Sequence, residues 1–370
     1  MLEQVQLDLR TATQRMPYRN YYQQRNGLVA QKIASKLGLP YTGEVADEPH
    51  RNAFLVPQRT YVRGENIRPD ILESDFYGTL VDNIEHVEKA VLHPSVSSRI
   101  PPYYSTEFAD RVSGFVLPGL TAFSKDDMLS AYINLQREHP IPYRLKLPDQ
   151  SDGHGQFIIA SEEDLKQYLE SMSSKEIALK GLVLEPQLQD PQTISVGYCV
   201  LGEDAYSFVS FQKNDTGEDG RMRYAGAEVM VVRDGMDELS QVVDHLDSSG
   251  HSVTHVDEAI QASIGFHQAL SLYNPVSSRL SFDHVRGLDG TGAMRGGITD
   301  ITGRLGGTCP ALIMAIEHLD SNPHTRIANS VVNLTYEPEG KPLMDEEVDA
   351  TAFIDHPTLR ITAKLKEHIL

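Results

Sequence analysis

Apolar residues recur with different periods along the chain, and the first region combines helical and strand patterns. LVAQKIASKLG (28–38) has the spacing of an amphipathic helix closed by a glycine, while NAFLVPQRTYV (52–62) is typical of a strand. Residues 73–93 mix turn and helix signals, and the Pro- and Tyr-rich segment 93–105 is typical of a linker or loop. We therefore expect an N-terminal α/β domain over residues 1–115.

The middle region carries two helix-start signals around a strand pair. Ser124 and Ser161 are each followed three residues later by an aspartate, a capping-box pattern that predicts helices ending near residues 137 and 171. Between them, IPYRLKLP (141–148) and QFIIA (156–160) predict two strands joined by a glycine-containing turn. Residues 116–183 are expected to form a small lid domain.

Short apolar strands dominate the last region, residues 184–370, where we expect a larger domain with a C-terminal extension. Strands are predicted at 181–188, 193–201, 205–212, 225–232, 279–285 and 296–302. A long helix is predicted from about His255 to Tyr273, and another begins near Pro310. The whole pattern predicts an α+β fold of mainly antiparallel sheets flanked by helices, after an N-terminal α/β domain.

Composition adds an acidic excess to this picture. The chain has 370 residues, with 33 Lys and Arg against 52 Asp and Glu and a formal net charge of −19. That balance argues against nonspecific binding to nucleic acids or anionic membranes, which need a broad basic surface. The polar N-terminus, the lack of a long apolar run and the presence of two cysteines predict a cytoplasmic protein.

Two lysines are suited to phosphate oxygens. Lys125 falls in the first turn of a predicted helix, where backbone N–H groups and the helix dipole favour anions. Lys146 lies in an alternating strand whose apolar residues face the other side. Each could equally be a solvated surface lysine, so neither settles the chemistry by itself.

A glycine-containing turn follows the second lysine. It comprises Ser151, Asp152, Gly153, His154 and Gly155. Glycine-rich hairpins let backbone N–H groups approach phosphates closely, although such turns are also ordinary in proteins. Its position directly after Lys146 favours a phosphate-binding loop.

An apolar strand ends at Glu185, followed by Pro186, Gln187 and Leu188. An extended backbone here could pair with the edge of an adenine ring, with the carboxylate or the carbonyl groups directed at the exocyclic amine. Pro186 removes one backbone donor, which is consistent with a hinge between two lobes. The alternative is an ordinary strand end with a turn.

Two carboxylates stand within apolar strands, Asp283 in RLSFDHV and Asp300 in GGITDIT. A carboxylate in such surroundings is costly unless it is paired or bound to a metal. Side by side, the two strands would offer the hard oxygen ligands that Mg²⁺ prefers. Ion pairs with Arg279, Arg286 or Arg304 are the alternative.

Arg304 offers a planar fork for phosphate or carboxylate, and two glycines follow it closely. Nearby His284, Arg286 and Arg295 are further candidates for contacts with a substrate. The chain has neither a GxxxxGK[ST] P-loop nor the kinase HRD and DFG motifs, so any ATP site must use another scaffold.

Over roughly residues 115–320 these motifs resemble the ATP-grasp superfamily. PYRLKL resembles the strand that bears the family's second ATP lysine, here Lys146, followed by a glycine-rich loop; Lys125 would be the first lysine. VLEPQL resembles the hinge motif that meets adenine, which places Glu185, Gln187 and Leu188 at the base. Nearly the whole chain is also similar to a group of bacterial ATP-grasp-like proteins that brings no established substrate.

DITGRLGG is similar to the family's metal-binding segment E-x-N-x-R-x-G-G. The resemblance implies that Asp300 and the upstream Asp283 bind metal and that Arg304 is the segment's arginine. Thr302 stands where the family has Asn and is a poorer magnesium ligand, which leaves a second metal ion open. ATP would lie between the lid and the larger domain.

The resemblance implies an ATP- and Mg²⁺-dependent (or Mn²⁺-dependent) ligase that joins a carboxylate to an amine or related nucleophile through an acyl phosphate, with Arg304 and Lys146 as catalytic residues. Two alternatives stay open: a small-molecule kinase on the same scaffold, and a nucleotide-binding protein without turnover. Expected partners are ATP and small-molecule or peptide substrates, without nucleic acid or membrane. A homodimer is expected by analogy alone.

Overall fold

A computed structural model describes residues 2–9, 19–45, 47–65, 67, 70–148, 155–216, 222–243, 252–336, 350–356 and 359–366. Within these ranges the chain has the α+β architecture that the pattern predicts, with antiparallel sheets flanked by helices and a parallel sheet at the N-terminus. No helix in the described ranges has both the length and the apolarity needed to span a membrane.

The N-terminal region is a three-stranded parallel sheet covered by one helix. Strands β1 (Gln4–Asp8), β2 (Tyr41–Val45) and β3 (Ala53–Pro57) lie in the order β2-β1-β3, and helix α1 (Arg19–Leu37) connects the first two. The helix begins well before the predicted residue 28 and ends at Leu37, just before Gly38, whose φ of +65° suits a residue without a Cβ.

Short elements link this sheet to the rest of the molecule. Strands β4 (Tyr61–Val62), β5 (Thr79–Val81) and β13 (Val276–Ser277) form a second small sheet. Three 3₁₀ turns surround β5, at Glu73–Asp75, Ile84–Val87 and Lys89–Val91. The turn at Lys89–Val91 packs against strands of both later sheets, β9 and β15, whose bounds follow.

A four-stranded antiparallel sheet has the order β6-β9-β7-β8, and we call it the lid sheet after the lid domain that the sequence predicts here. Its strands are β6 (Leu120–Ala122), β7 (Tyr143–Lys146), β8 (Gln156–Ile159) and β9 (Leu182–Pro186). Helices α3 (Lys125–Glu138), α4 (Glu162–Ser171) and α5 (Ser174–Lys180) accompany it, after α2 (Thr106–Val112). Ser124 and Ser161 cap α3 and α4, which confirms both predicted helix starts.

The large region is an eight-stranded antiparallel sheet in the order β15-β14-β10-β11-β12-β16-β18-β17. Its strands are β10 (Gln189–Leu201), β11 (Asp204–Thr216), β12 (Met222–Arg233), β14 (Arg279–Leu288), β15 (Met294–Thr302), β16 (Ile327–Tyr336), β17 (Thr351–His356) and β18 (Leu359–Leu365). The helices that accompany it are α6 (Ser240–Val243), α7 (Val253–Leu270) and α8 (Cys309–Ser321). The hairpin β17–β18 was not predicted from the sequence.

Each face of the large sheet has its own helical cover. Phe266 of α7 packs on Phe282 of β14, with ring centroids 5.2 Å apart. On the other face, α1 and α8 bury the apolar side chains of β11, β12 and β16 in the largest core cluster. Strand alternation puts Asp283 of β14 on this second face, because its neighbour Phe282 faces α7.

Candidate active site

Two carboxylates face each other across the edge of the large sheet. Asp283 of β14 lies directly opposite Asp300 of β15, and Ser195 of β10 lies on the other side of Asp283. The Ser195 hydroxyl donates to Asp283 Oδ1 over 2.7 Å. Burial and the neighbouring Asp300 raise the pKa of Asp283 to about 6, because ionising it places a second negative charge in a buried setting.

Lys89 supplies a positive charge at this pair. Its Nζ lies 2.9 Å from Asp300 Oδ2, and the residue is 6% exposed. Burial would lower the pKa of Lys89, but the Asp300 carboxylate outweighs it and the pKa is raised. The 3₁₀ turn therefore brings one positive charge to the two carboxylates at the edge of the sheet. Because one ammonium group faces two carboxyl groups, the Asp283–Asp300 pair is only partly neutralised.

The pair fits the ligand requirements of one magnesium ion. Proteins hold Mg²⁺ with one or two carboxylates while substrate phosphates and waters complete the shell. Among the described residues, no group of three or more His, Cys, Asp or Glu side chains could hold a metal. Thr302 lies opposite Ser281 on the same sheet face, and its carbonyl accepts a hydrogen bond from Arg279 Nη1 over 3.0 Å.

A second buried charge cluster lies on the lid sheet. Lys146 Nζ contacts Glu185 Oε2, and His93 Nε2 lies 2.9 Å from Glu185 Oε1; all three side chains are at most 7% exposed. Burial by itself would raise the pKa of Glu185, but the Lys146 ammonium and the His93 hydrogen bond outweigh it and lower the pKa to about 2. Glu185 is therefore a buried anion at neutral pH.

The residues after Glu185 have defined hydrogen bonds. Arg144 Nε donates to Gln187 Oε1 over 2.9 Å, and Gln187 Nε2 donates to the carbonyl of Leu188 over 2.8 Å. The Gln187 backbone N–H donates to the carbonyl of Pro142. These contacts fix the turn between the two sheets, the place where the sequence predicts an adenine contact.

Two further arginines are Arg304, in the turn after β15, and Arg25, which is buried on α1. Arg304 follows β15, and its Nη1 donates to the carbonyl of Leu305 over 3.1 Å. Arg25 of α1 is 6% exposed and donates from Nε and Nη2 to Asn26 Oδ1. Burial lowers the pKa of Arg25, and the Arg304 guanidinium acts in the same direction.

Several predicted residues lie elsewhere or outside the described ranges. Lys125 is the first residue of α3 and is half-buried. Ser151, Gly153 and His154 fall outside the described residues. Gly155 is described, with a φ of +64°, and its carbonyl accepts from the Leu147 N–H at the base of the β7–β8 hairpin.

The three additional substrate candidates do not join the carboxylate pair. His284 lies on the α7 face, with Nδ1 3.2 Å from His255 Nε2, because it is one residue from Asp283 in a regular strand. Arg286 lies on that same face, 3.4 Å from a glutamate of α7, and Arg295 pairs with Asp289 over 2.8 Å. Nearness in sequence therefore does not place these side chains beside the carboxylate pair, and their contact with a substrate stays a prediction.

Sequence reasoning missed Lys89, His93, Ser195 and Arg25. The secondary structure of residues 73–93 was ambiguous from the sequence. Lys89 and His93 lie near the end of this stretch, four residues apart, and each has apolar neighbours in the sequence. That spacing is the one signal in the sequence that could have marked them as a pair. Ser195 and Arg25 carry no local motif, and only the packing of distant elements brings Ser195 to Asp283 and buries Arg25.

The fold is shared with solved enzymes at low sequence identity. N5-carboxyaminoimidazole synthetase from Staphylococcus aureus, complexed with ADP, superposes with a TM-score of 0.53 and 12% identity, over 99% of this chain and 94% of that one. Carboxyaminoimidazole ribonucleotide synthase from Aspergillus clavatus, complexed with ATP, gives a TM-score of 0.51 and 10% identity, over 98% and 94%.

A third similar structure is biotin carboxylase from Campylobacter jejuni in a β-γ-ATP complex. It superposes with a TM-score of 0.51 and 12% identity, over 93% of this chain and 85% of that one. At such identities the likeness shows the fold alone, which is that of ATP-grasp enzymes. This confirms the predicted fold class.

Comparison by sequence shows the family to which the chain belongs. No curated protein matches the chain. Residues 10–353, which include every described site residue, match one protein family along their whole length. The chain therefore belongs to the family described as "Protein of unknown function (DUF3182)".

Proposed function

We propose that this protein is an ATP-dependent ligase that joins a carboxylate to an amine or related nucleophile. The observation that carries the proposal is the double attachment of one short segment, 89–93. Lys89 at its start pairs with Asp300 of the large sheet, and His93 at its end pairs with Glu185 of the lid sheet. The segment therefore connects a charged cluster on the large sheet with one on the lid sheet. A nucleoside triphosphate would bind between these two clusters.

The chain's own residues would bind the nucleotide from both sheets. Lys146 and Lys125, with the loop 151–155, hold the phosphates, while Glu185, Gln187 and Leu188 border the base. Because an ammonium group has three donors, Lys146 can keep its contact with Glu185 and still donate to a phosphate oxygen. Asp283 and Asp300 would hold Mg²⁺, which when bound supplies positive charge against the phosphate oxygens.

The proposed reaction has two steps. A carboxylate oxygen of the substrate attacks the γ-phosphorus, the bond to the β,γ-bridging oxygen breaks, and ADP leaves. Arg304 stabilises the negative charge that develops on the transferred phosphoryl group. The amine then attacks the acyl carbon, the C–O bond to phosphate breaks, and the amine proton is lost to solvent or phosphate.

No nucleophilic side chain takes part in this scheme, because positioning and electrostatics provide the acceleration. Cys309 is buried at the start of α8, and its Sγ accepts a hydrogen bond from the Gly306 N–H over 3.2 Å. A closed lid would keep water away from the acyl phosphate.

A second candidate function is nucleotide binding without turnover. Two observations favour it: Thr302 stands where an amide ligand is expected, and Lys89 already takes up part of the charge of Asp300. A nucleotide would then regulate the closure of the lid instead of being consumed.

The first experiment is calorimetry of ATP binding with and without Mg²⁺. Wild type is compared with Asp300→Asn and with the double variant Lys146→Met/Glu185→Gln, which removes both buried charges and so leaves none unpaired. Exposed Lys175→Met on α5 is the control. We expect Mg²⁺-dependent binding by wild type and the control, and at least tenfold weaker binding by the other two.

If wild type binds no ATP with Mg²⁺ or Mn²⁺, the ligase function and the nucleotide-binding function are both excluded. If it binds ATP, release of ADP and phosphate is measured with panels of carboxylates and amines. Turnover that requires both substrates supports the ligase, whereas binding without any turnover favours the second candidate.

A further inference from the structure

Three of the four carboxylate oxygens of Asp283 and Asp300 already contact a donor from the protein. The Ser195 hydroxyl donates to Asp283 Oδ1 over 2.7 Å. The backbone N–H of Ile301 donates to Asp300 Oδ1 over 2.9 Å, and Lys89 Nζ lies 2.9 Å from Asp300 Oδ2. In the described part of the chain, Asp283 Oδ2 is therefore the oxygen of this pair that has no donor.

The cation at Asp300 is a fixed part of the fold. Lys89 belongs to the 3₁₀ turn Lys89–Val91, which packs against β15, and its side chain is 7% exposed whereas that of Asp300 is 31% exposed. Mg²⁺ binds carboxylate oxygens at about 2.0–2.1 Å, so an ion on Asp300 Oδ2 would lie within about 5 Å of the ammonium. Because like charges repel strongly at this distance in a partly buried setting, a metal ion is disfavoured at this oxygen.

A second fixed cation lies further along the same face of the sheet. Arg279 of β14 is 1% exposed, and its Nη1 donates to the carbonyl of Thr302 over 3.0 Å. Thr302 follows Asp300 by two residues on β15, so the two side chains share a face. A divalent ion between these two residues would meet an ammonium at one of them and a guanidinium at the other.

We propose that the carboxylate pair holds one divalent cation, through Asp283, and that the ammonium of Lys89 takes the place of a second one at Asp300. This rests on the proposed nucleotide site, and it makes Lys89 a positioning residue of that site. One or two carboxylates are enough to hold Mg²⁺ when phosphates and waters complete its shell.

The proposal has a consequence for the metal dependence of the site. Because the ammonium belongs to the chain, the second positive charge is present at every metal concentration, and nucleotide binding requires one divalent ion. Removing the ammonium frees Asp300 Oδ2, so that a second ion can bind beside the first. In two-metal sites the ions lie about 3.5–4 Å apart.

The test counts Mn²⁺ ions per bound ADP on the full-length protein, by electron paramagnetic resonance of free and bound Mn²⁺. Wild type is compared with Lys89→Met, with Lys89→Arg, which keeps the positive charge, and with Lys175→Met, which removes an exposed lysine of α5. We expect Lys89→Met to bind one more Mn²⁺ per bound ADP than wild type, and the other two variants to match wild type. Counting per bound ADP keeps unfolded protein out of the ratio.

The spectrum of the bound ions shows where the additional one lies. Two Mn²⁺ ions about 3.5–4 Å apart are magnetically coupled, whereas a single ion is not. We expect an uncoupled spectrum for wild type and Lys89→Arg, and a coupled one for Lys89→Met. An extra ion bound elsewhere on this acidic chain would stay uncoupled, which would contradict the proposal.

Equal Mn²⁺ counts in wild type and Lys89→Met overturn the proposal, and so does a coupled pair in wild type. An extra ion in Lys175→Met as well would reflect the net charge of the chain and also overturns it. If wild type binds no ADP with Mn²⁺, the proposed function is excluded, and the count without ADP decides the metal assignment. One more ion on Lys89→Met than on wild type then supports that assignment, and equal counts overturn it.

Discussion

The buried Lys89 forms an ion pair with the partly exposed Asp300, with Nζ 2.9 Å from Oδ2, between a short 3₁₀ turn and the edge strand of the large sheet. Four residues further on, His93 lies 2.9 Å from Glu185 of the lid sheet. One five-residue segment thereby ties together the two sheets that border the proposed nucleotide cleft. Substitutions in this segment should affect both stability and metal dependence.

Lys89→Met is expected to make the protein more dependent on divalent cations. Without the ammonium, the facing carboxylates Asp283 and Asp300 repel each other, and we expect a loss of about 2–4 kcal/mol in the free energy of unfolding without metal. Millimolar Mg²⁺ should restore part of the lost free energy of unfolding. The measurement is the melting temperature with and without Mg²⁺, with Lys175→Met as control; an Mg²⁺ response no larger than that of wild type would contradict the expectation.

Glu185→Gln should be more damaging alone than together with Lys146→Met. The single change leaves a buried ammonium without its anion, which costs about 3–5 kcal/mol, whereas the double change removes both charges. Urea unfolding of the two single variants and the double variant gives the coupling energy. Strictly additive losses would mean that the buried contact between these side chains is not energetically coupled.

The same pair predicts how stability depends on pH. The pKa of Glu185 is lowered to about 2 from an ordinary value of 4.5, so its contribution is fully present above pH 4.5 and is lost as the pH falls towards 2. The shift corresponds to about 3 kcal/mol. The stability difference between wild type and Lys146→Met/Glu185→Gln should shrink across this window, and a difference that is constant from pH 7 to pH 2.5 would exclude the mechanism.

Gly297→Ala is expected to disturb the strand that carries Asp300. Gly297 has a φ of +156°, and a Cβ there would lie 2.1 Å from the backbone nitrogen of Leu117, beside the bridge between Val116 and Ile298. Because backbone cannot move aside cheaply, we expect a loss of about 3 kcal/mol or more. Gly114→Ala, where a Cβ meets open space, is the matched control in urea unfolding. Equal losses for the two variants would show that the close approach is not maintained in solution.

Local sequence determined the elements that depend on local signals. The serine caps at 124 and 161 specify the starts of α3 and α4 because a side-chain oxygen three residues upstream satisfies a free backbone N–H. The alternation in RLSFDHV and GGITDIT correctly predicts strands, and the structure pairs them so that Asp283 faces Asp300. The β17–β18 hairpin was missed because its apolar pattern is short and acquires its partner only from distant β16.

Tertiary structure alone decided which charged groups meet. Sequence could indicate that Asp283, Asp300, Lys146 and Glu185 were unusual, because charges in apolar strands need partners. It could not indicate that Lys146 contacts Glu185 or that Lys89 lies at Asp300. These contacts join elements far apart in the chain, and their geometry follows from the packing of sheets and helices, which no local pattern encodes.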